Sequence, residues 1–122
     1  MERNILKAKS FVFAVRIVRL FQFLQTAKKE YVIAKQLLRC GTSVGSMVRE
    51  AEHAESKADF IHKMAVAQKE INETIYWLEL LAATDYLTPE QAASLCIDAT
   101  ELLKLLTSSI KTAKNNLKTI GS

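Results

Sequence analysis

A chain of 122 residues is long enough for one domain with a modest core, and 49% apolar with 25% charged residues excludes a disordered chain. Three glycines and one proline leave room for few turns, so a small number of long elements is expected. The net charge of +4 hides an asymmetry: residues 1–49 carry ten Lys/Arg against two Glu, residues 50–101 three Lys against eleven acids, and residues 102–122 four Lys and no acid.

The first helix is predicted over about residues 4–26, with Asn4 as its cap. Its centre, Phe11 to Leu24, is polar only at Arg16, Arg19 and Gln22. That apolar face is far wider than the stripe of a little over 100° that a surface helix buries. Such a helix needs cover on two sides, and a neighbouring copy is the simplest second cover. Lys7 and Lys9 ahead of the apolar run do not make a leader, because Arg16 and Arg19 interrupt it and no small-residue cleavage site follows. The run is too short and too charged to span a bilayer, so a cytoplasmic protein without membrane contact is expected.

A second helix is predicted over about 29–54. Tyr31, Ala34, Leu37, Leu38, Gly41, Val44, Gly45, Val48 and Ala51 fall on one broad face. Two glycines one turn apart each cost up to about 1 kcal/mol of helix propensity, which points to close approach of another helix. Arg39, Ser43, Ser46 and Glu50 form a polar stripe opposite.

The third helix is expected over about 57–84, capped by Ser56 with Asp59 closing a box. Its core stripe reads Phe60, Met64, Ala67, Ile71, Ile75, Leu78 and Ala82. A second stripe reads Asp59, Lys63, Val66, Glu70, Glu73 and Trp77, with Asp59–Lys63 and Lys69–Glu73 spaced for ion pairs one turn apart. Thr88-Pro89-Glu90-Gln91 marks the clearest boundary, a capping box with proline at the first helical position. The fourth helix then runs to about 119 along Ala92, Leu95, Cys96, Ala99, Leu102, Leu103, Leu106, Ile110, Ala113, Leu117 and Ile120, with Lys111, Lys114 and Lys118 near its end. Nothing alternates with period two. The expected fold is all-α, an antiparallel up-down-up-down four-helix bundle forming a single domain over 1–122.

Two cysteines, Cys40 and Cys96, outside any CxxC pair, read as buried reduced thiols. Glu50-x-x-His53 and Asp59-x-x-His62 resemble half of a di-iron ligand set. They fall near the turn between helices two and three, and the first helix offers no carboxylate after Glu2. Ser43, Ser46 and Cys40 lack His and Asp partners for nucleophilic catalysis, and no glycine loop cradles phosphate. No catalytic residue, cofactor or metal is therefore assigned. The charge asymmetry has two readings. Basic helices pair with acidic ones within or between subunits, or Lys7, Lys9, Arg16, Arg19, Lys28, Lys29 and Lys35 form a patch for RNA or DNA, recognised by charge and shape.

The residues Arg39, Thr42-Ser43-Val44-Gly45, Arg49-Glu50-Ala51, Ser56, the run Ala58 to Met64, Lys69-Glu70 and the run Glu73 to Leu81 resemble the 23S ribosomal RNA intervening-sequence protein family. The likeness is densest in helices two and three. This chain carries Ser46-Met47 where the family often has an asparagine. The resemblance implies an antiparallel four-helix bundle that assembles as a ring, commonly a pentamer. It also implies similarity to a basic pentameric accessory protein of diversity-generating retroelements, thought to bind nucleic acid and a reverse transcriptase. The expected function is a non-enzymatic homo-oligomeric binding or scaffold module. The alternative is a nucleic-acid-binding accessory protein, related to rRNA or retroelements, that uses a basic face. Arg39, Ser43, Ser46, Arg49, Glu50, Lys63, Glu70 and Glu73 are the expected polar assembly or binding surface.

Overall fold

The structure, a computed structural model, describes residues 2–121, with side chains from 4 to 116. Four helices follow one another: α1 (Glu2–Thr26), α2 (Val32–Glu52), α3 (Lys57–Ala83) and α4 (Pro89–Gly121). Each packs on its two neighbours around a square, α1 on α2 and α4, α3 on α2 and α4. Among the described residues the diagonal pairs do not approach. Short connections between long helices dictate this antiparallel arrangement.

The buried positions show why the four helices fit. They are 6, 10, 13, 17, 20 and 24 in α1, 34, 37, 40, 41, 44, 48 and 51 in α2, 60, 64, 67, 71, 74, 78 and 81 in α3, and 92, 95, 99, 102, 106, 109, 110 and 113 in α4. Apart from Cys40 and Ile110, which are buried beside this register, the steps alternate between three and four residues, the heptad spacing of helices crossing at about 20°. In α3 this replaces the drifting stripe read from the sequence. Thr74 and Leu81 are fully buried, while Ile75 and Ala82 are only half-buried.

Thr74 is a buried hydroxyl with its bond supplied twice, to the Glu70 carbonyl at 2.8 Å and to Cys40 Sγ at 3.2 Å. The two glycines of α2 face α1. A Cβ at Gly41 would lie 2.8 Å from both Cγ atoms of Ile17, and one at Gly45 would lie 3.4 Å from the Ser10 carbonyl oxygen. Close helix approach is thus the reason these glycines interrupt a helix.

The ends differ from expectation in instructive ways. α1 begins at Glu2, so Asn4 lies inside it. α2 begins at Val32, not at 29, because Lys29 adopts a left-handed conformation, φ 56°, that breaks the chain between α1 and α2. Tyr31, expected on the buried face, precedes the helix and is exposed. The cap of α2 comes from Glu30, only 8% exposed. Its two oxygens accept from the Ile33 N–H at 3.1 Å and the Ala34 N–H at 2.7 Å.

Ser56 caps α3 by accepting from the Asp59 N–H at 3.0 Å, but Asp59 reaches the N–H of Glu55 in place of Ser56. α3 ends where Asp85 turns left-handed, φ 68°, with the Tyr86 and Asp85 N–H groups bonded back to the Leu81 and Ala82 carbonyls. Thr88 and Gln91 form the reciprocal box read from the sequence, at 2.9 and 3.1 Å. The side chains of Leu117, Lys118 and Ile120 lie outside the described ones.

Candidate functional site

The polar stripe of α2 meets the polar stripe of α3 along one outer seam. Arg39 forks across it. Nη1 donates to Glu70 Oε2 at 2.8 Å, and Nη2 makes a short contact with Glu73 Oε2. Trp77 Nε1 donates to the same Glu73 oxygen at 3.1 Å. Two turns further down, Lys63 donates to Glu50 at 3.2 Å. The one-turn pairs Asp59–Lys63 and Lys69–Glu73 expected within α3 are replaced by these cross-helix bonds. The seam brings carboxylates and bases of different helices closer than a single helix face does.

Ser43 spends its hydroxyl on the Arg39 carbonyl at 2.6 Å. Ser46 lines a shallow, mixed-charge cleft with Arg49, Glu50, His53 and Lys63, a cavity of about 690 Å³. Arg49 leans away, its guanidinium 5.5 Å from the centre of the Phe11 ring on α1. Five of the eight expected surface residues are thus joined in two ties between α2 and α3. Ser43, Ser46 and Arg49 stand outside them.

Electrostatics follow from this geometry. The Trp77 donor and the Arg39 guanidinium hold the Glu73 carboxyl below its ordinary value. The Glu73 bond raises Arg39 in turn. A carboxyl lowered by folding stabilises above its unfolded value and loses that contribution as pH falls through its folded value. Glu73→Gln is therefore expected to flatten the acid limb of stability below about pH 4.5, the ordinary carboxylate range, while leaving the neutral-pH slope unchanged. Urea midpoints measured from pH 3 to 7 check this. Arg39, raised, contributes at every lower pH. Burial pushes both thiols up, Cys40 and Cys96, which leaves them poor nucleophiles.

The expected basic patch is dispersed. Lys7 pairs with Glu52 at 3.4 Å, Lys9 with Glu101 at 3.0 Å, and Arg16 with Asp98 at 2.6 Å and Ser94 Oγ at 3.0 Å. Lys9 and Arg16 of the basic first helix are neutralised by acids in the first half of α4, and Lys7 by Glu52 of α2, within one chain, as the first reading of the asymmetry expects. Among the described residues Arg19 reaches only the Gln22 amide oxygen, at 3.5 Å, and Lys28 lies 5.9 Å above Phe23. Lys29 and Lys35 are exposed at the same end of the bundle. Among the described residues no group of three His, Cys, Asp or Glu is placed to hold a metal.

The largest unbalanced feature is the outer face of α1. Ile5, Phe11, Val12, Val15 and Val18 are exposed, Phe11 by 55% and Val12 by 59%. With Ala8 they step 5, 8, 12, 15 and 8, 11, 15, 18. This second three-four seam lies opposite the buried one. Two exposed apolar residues escaped the sequence reading, Val32 on α2, 75% exposed, and Ile97 on α4, 68% exposed. The signal for Ile97 was its place off the core stripe of α4.

Four helices packed along seams that step by three and four residues, with polar groups tied across the outer seam of α2 and α3, place the chain among the all-α four-helix bundle proteins. The family model for 23S rRNA-intervening sequence proteins matches residues 2–108, and the chain belongs to that family. A crystal structure of a protein of unknown function from the S23 ribosomal protein family of Bacteroides thetaiotaomicron VPI-5482 is 57% identical. The match covers 91% of this chain and 99% of that one, with a TM-score of 0.90. No curated protein is significantly similar to the chain.

Proposed function

We propose that the chain is a non-enzymatic scaffold or binding module of the cytoplasm that assembles with copies of itself by burying the outer face of α1, as a ring of five in keeping with the family resemblance. The apolar seam of Ile5, Val12, Val15, Phe11 and Val18 carries this reading. Full burial of each such side chain is worth about 1.5–3 kcal/mol, enough in sum to offset the cost of association. A lipid surface fits the face less well, because Lys7, Lys9 and Arg16 beside it are already held by carboxylates. No helix among the described residues is long and apolar enough to cross a membrane.

Light scattering tests the reading. The wild type is expected at a multiple of 13.7 kDa, and the Val12→Asp/Val15→Asp double variant at the monomer mass with unchanged helicity. A monomeric wild type at micromolar concentration rejects self-assembly. A second reading, nucleic-acid binding, is favoured by one observation. Among the described residues Arg19, Lys28, Lys29 and Lys35, near one end of the bundle, have no carboxylate partner. An RNA titration that shows no retention at low salt eliminates it.

A further inference from the structure

We infer that Tyr31 and the lysines around it form a stacking platform for single-stranded nucleic acid, seated on the connection between α1 and α2. This inference rests on the nucleic-acid reading above. It adds the form of the ligand and the side chain that meets its bases. Three observations carry it.

The first is an aromatic ring that the fold leaves unused. Among the described residues the exposed aromatic side chains are Phe11, Tyr31 and Tyr76. Phe11 lies under the Arg49 guanidinium, and Tyr76 is set edge-on against Trp77 with ring centres 5.0 Å apart. Tyr31, half exposed, has neither a ring nor a cation against it. The left-handed turn at Lys29 delays the start of α2, so Tyr31 stands at the cap position, outside the core, without a side-chain bond to the helix.

The second is charge without compensation. Lys28 and Lys29 precede Tyr31, and Lys35 follows it by one helical turn, on the face that begins with Tyr31 and Val32. Among the described residues none of these three lysines has a carboxylate partner. Glu30, the one acid in this segment, is turned inward, where its oxygens hold the Ile33 and Ala34 N–H groups. Asp85 and Glu90, the exposed acids of the α3–α4 connection at the same end of the bundle, form no ion pair with any of the three.

The third is what the surface offers a strand and not a duplex. Paired bases present only their edges, inside a groove, to an element that projects into it. Tyr31 sits on a short turn between packed helices, where its ring meets a base only if that base is free of its own stack. The N–H groups at the start of α2, a ready site for phosphate, are already filled by Glu30. Phosphates are left to the three ammonium groups before and after the ring, while Val32, 75% exposed, adds apolar cover beside it. An acidic peptide satisfies the lysines but brings no flat face to the ring.

Fluorescence anisotropy decides it, with a labelled strand of about 12 nucleotides, within the span of such sites, as RNA and as DNA, each alone and annealed to its complement. At low salt the single strands are expected to bind about tenfold more tightly than the duplexes. Tyr31→Leu changes an exposed position, and circular dichroism verifies that its folding is retained. It is expected to weaken single-strand binding about 5- to 100-fold and to leave duplex binding unchanged. Tyr31→Phe keeps the ring and is expected to bind as the wild type does. Lys29→Gln/Lys35→Gln is expected to weaken strand and duplex alike and to flatten the salt dependence. The RNA and DNA arms tell which sugar the partner carries, and either one bound in this pattern supports the platform. Equal affinity for strand and duplex, or an unchanged Tyr31→Leu, overturns it while nucleic-acid binding by charge alone stands. Displacement of the strand by polyglutamate of equal charge overturns it in favour of an acidic protein partner. Failure of every strand and duplex to bind at low salt removes both readings.

Discussion

Ile17→Ala is expected to lower the free energy of unfolding by about 2–5 kcal/mol, the range for emptying a buried aliphatic site. Adding Gly41→Ala to it is expected to restore part of the loss. Ile17 is fully buried, and both of its Cγ atoms sit 2.8 Å from where a Gly41 Cβ would stand. These atoms are close to the Ile17 backbone and cannot swing away as the tip of a long side chain could.

In the wild-type background Gly41→Ala therefore overpacks the α1–α2 contact at a cost of about 1–3 kcal/mol, offset by about 1 kcal/mol of helix propensity. In the Ile17→Ala background the new methyl enters the vacated space and the propensity gain survives. The two changes should be non-additive by about 1–3 kcal/mol in the stabilising direction, as expected for residues in direct contact. Urea unfolding of the four proteins in the cycle measures it. Strict additivity would show that the two residues do not share the space.

Glu30→Ala is expected to cost about 2 kcal/mol, more than the roughly 1 kcal/mol expected of removing an ordinary cap such as Ser56. Two reasons act together. The carboxylate bonds two N–H groups at the positive end of α2, and its bonds are charge-assisted. Tyr31, at the cap position itself, supplies no side-chain bond to replace it. Glu30→Gln keeps one acceptor oxygen and should fall between. Glu30→Asp, one methylene shorter, should fail to reach both groups and lie near the alanine variant. Thermal unfolding ranks the three.

Most core positions of α2 and α4 and the Thr88–Gln91 box were legible because they depend on local spacing and local hydrogen bonds, whereas the α3 stripe drifted to Ile75 and Ala82 where Thr74 and Leu81 are buried. The bundle follows from the legible positions. Glu30 was not legible, because a glutamate ahead of a tyrosine has no place in the usual cap grammar of Ser, Thr, Asp and Asn. Only the left-handed turn at Lys29 brings it under the helix. The polar stripe of Arg39, Glu70 and Glu73 was found as a set of residues but not as a set of partners. Periodicity says which side chains share a face and is silent on which face of another helix they meet. The partners of Lys9 and Arg16 in the basic patch were hidden for the same reason, since Glu101 and Asp98 lie 92 and 82 residues away. The width of the apolar face on α1 was legible at once, and the structure leaves that face uncovered within the chain.

The square arrangement, in which each helix touches only its two neighbours, has a consequence for how the chain folds. Three of the four seams join helices consecutive in sequence, so they close as hairpins with little loop entropy to overcome. The α1–α4 seam alone unites the two ends of the chain, and it is the lightest of the four. A topology so dominated by local pairings belongs among fast folders. Within it, docking of the first helix on the last should be the late step, and the first seam to open.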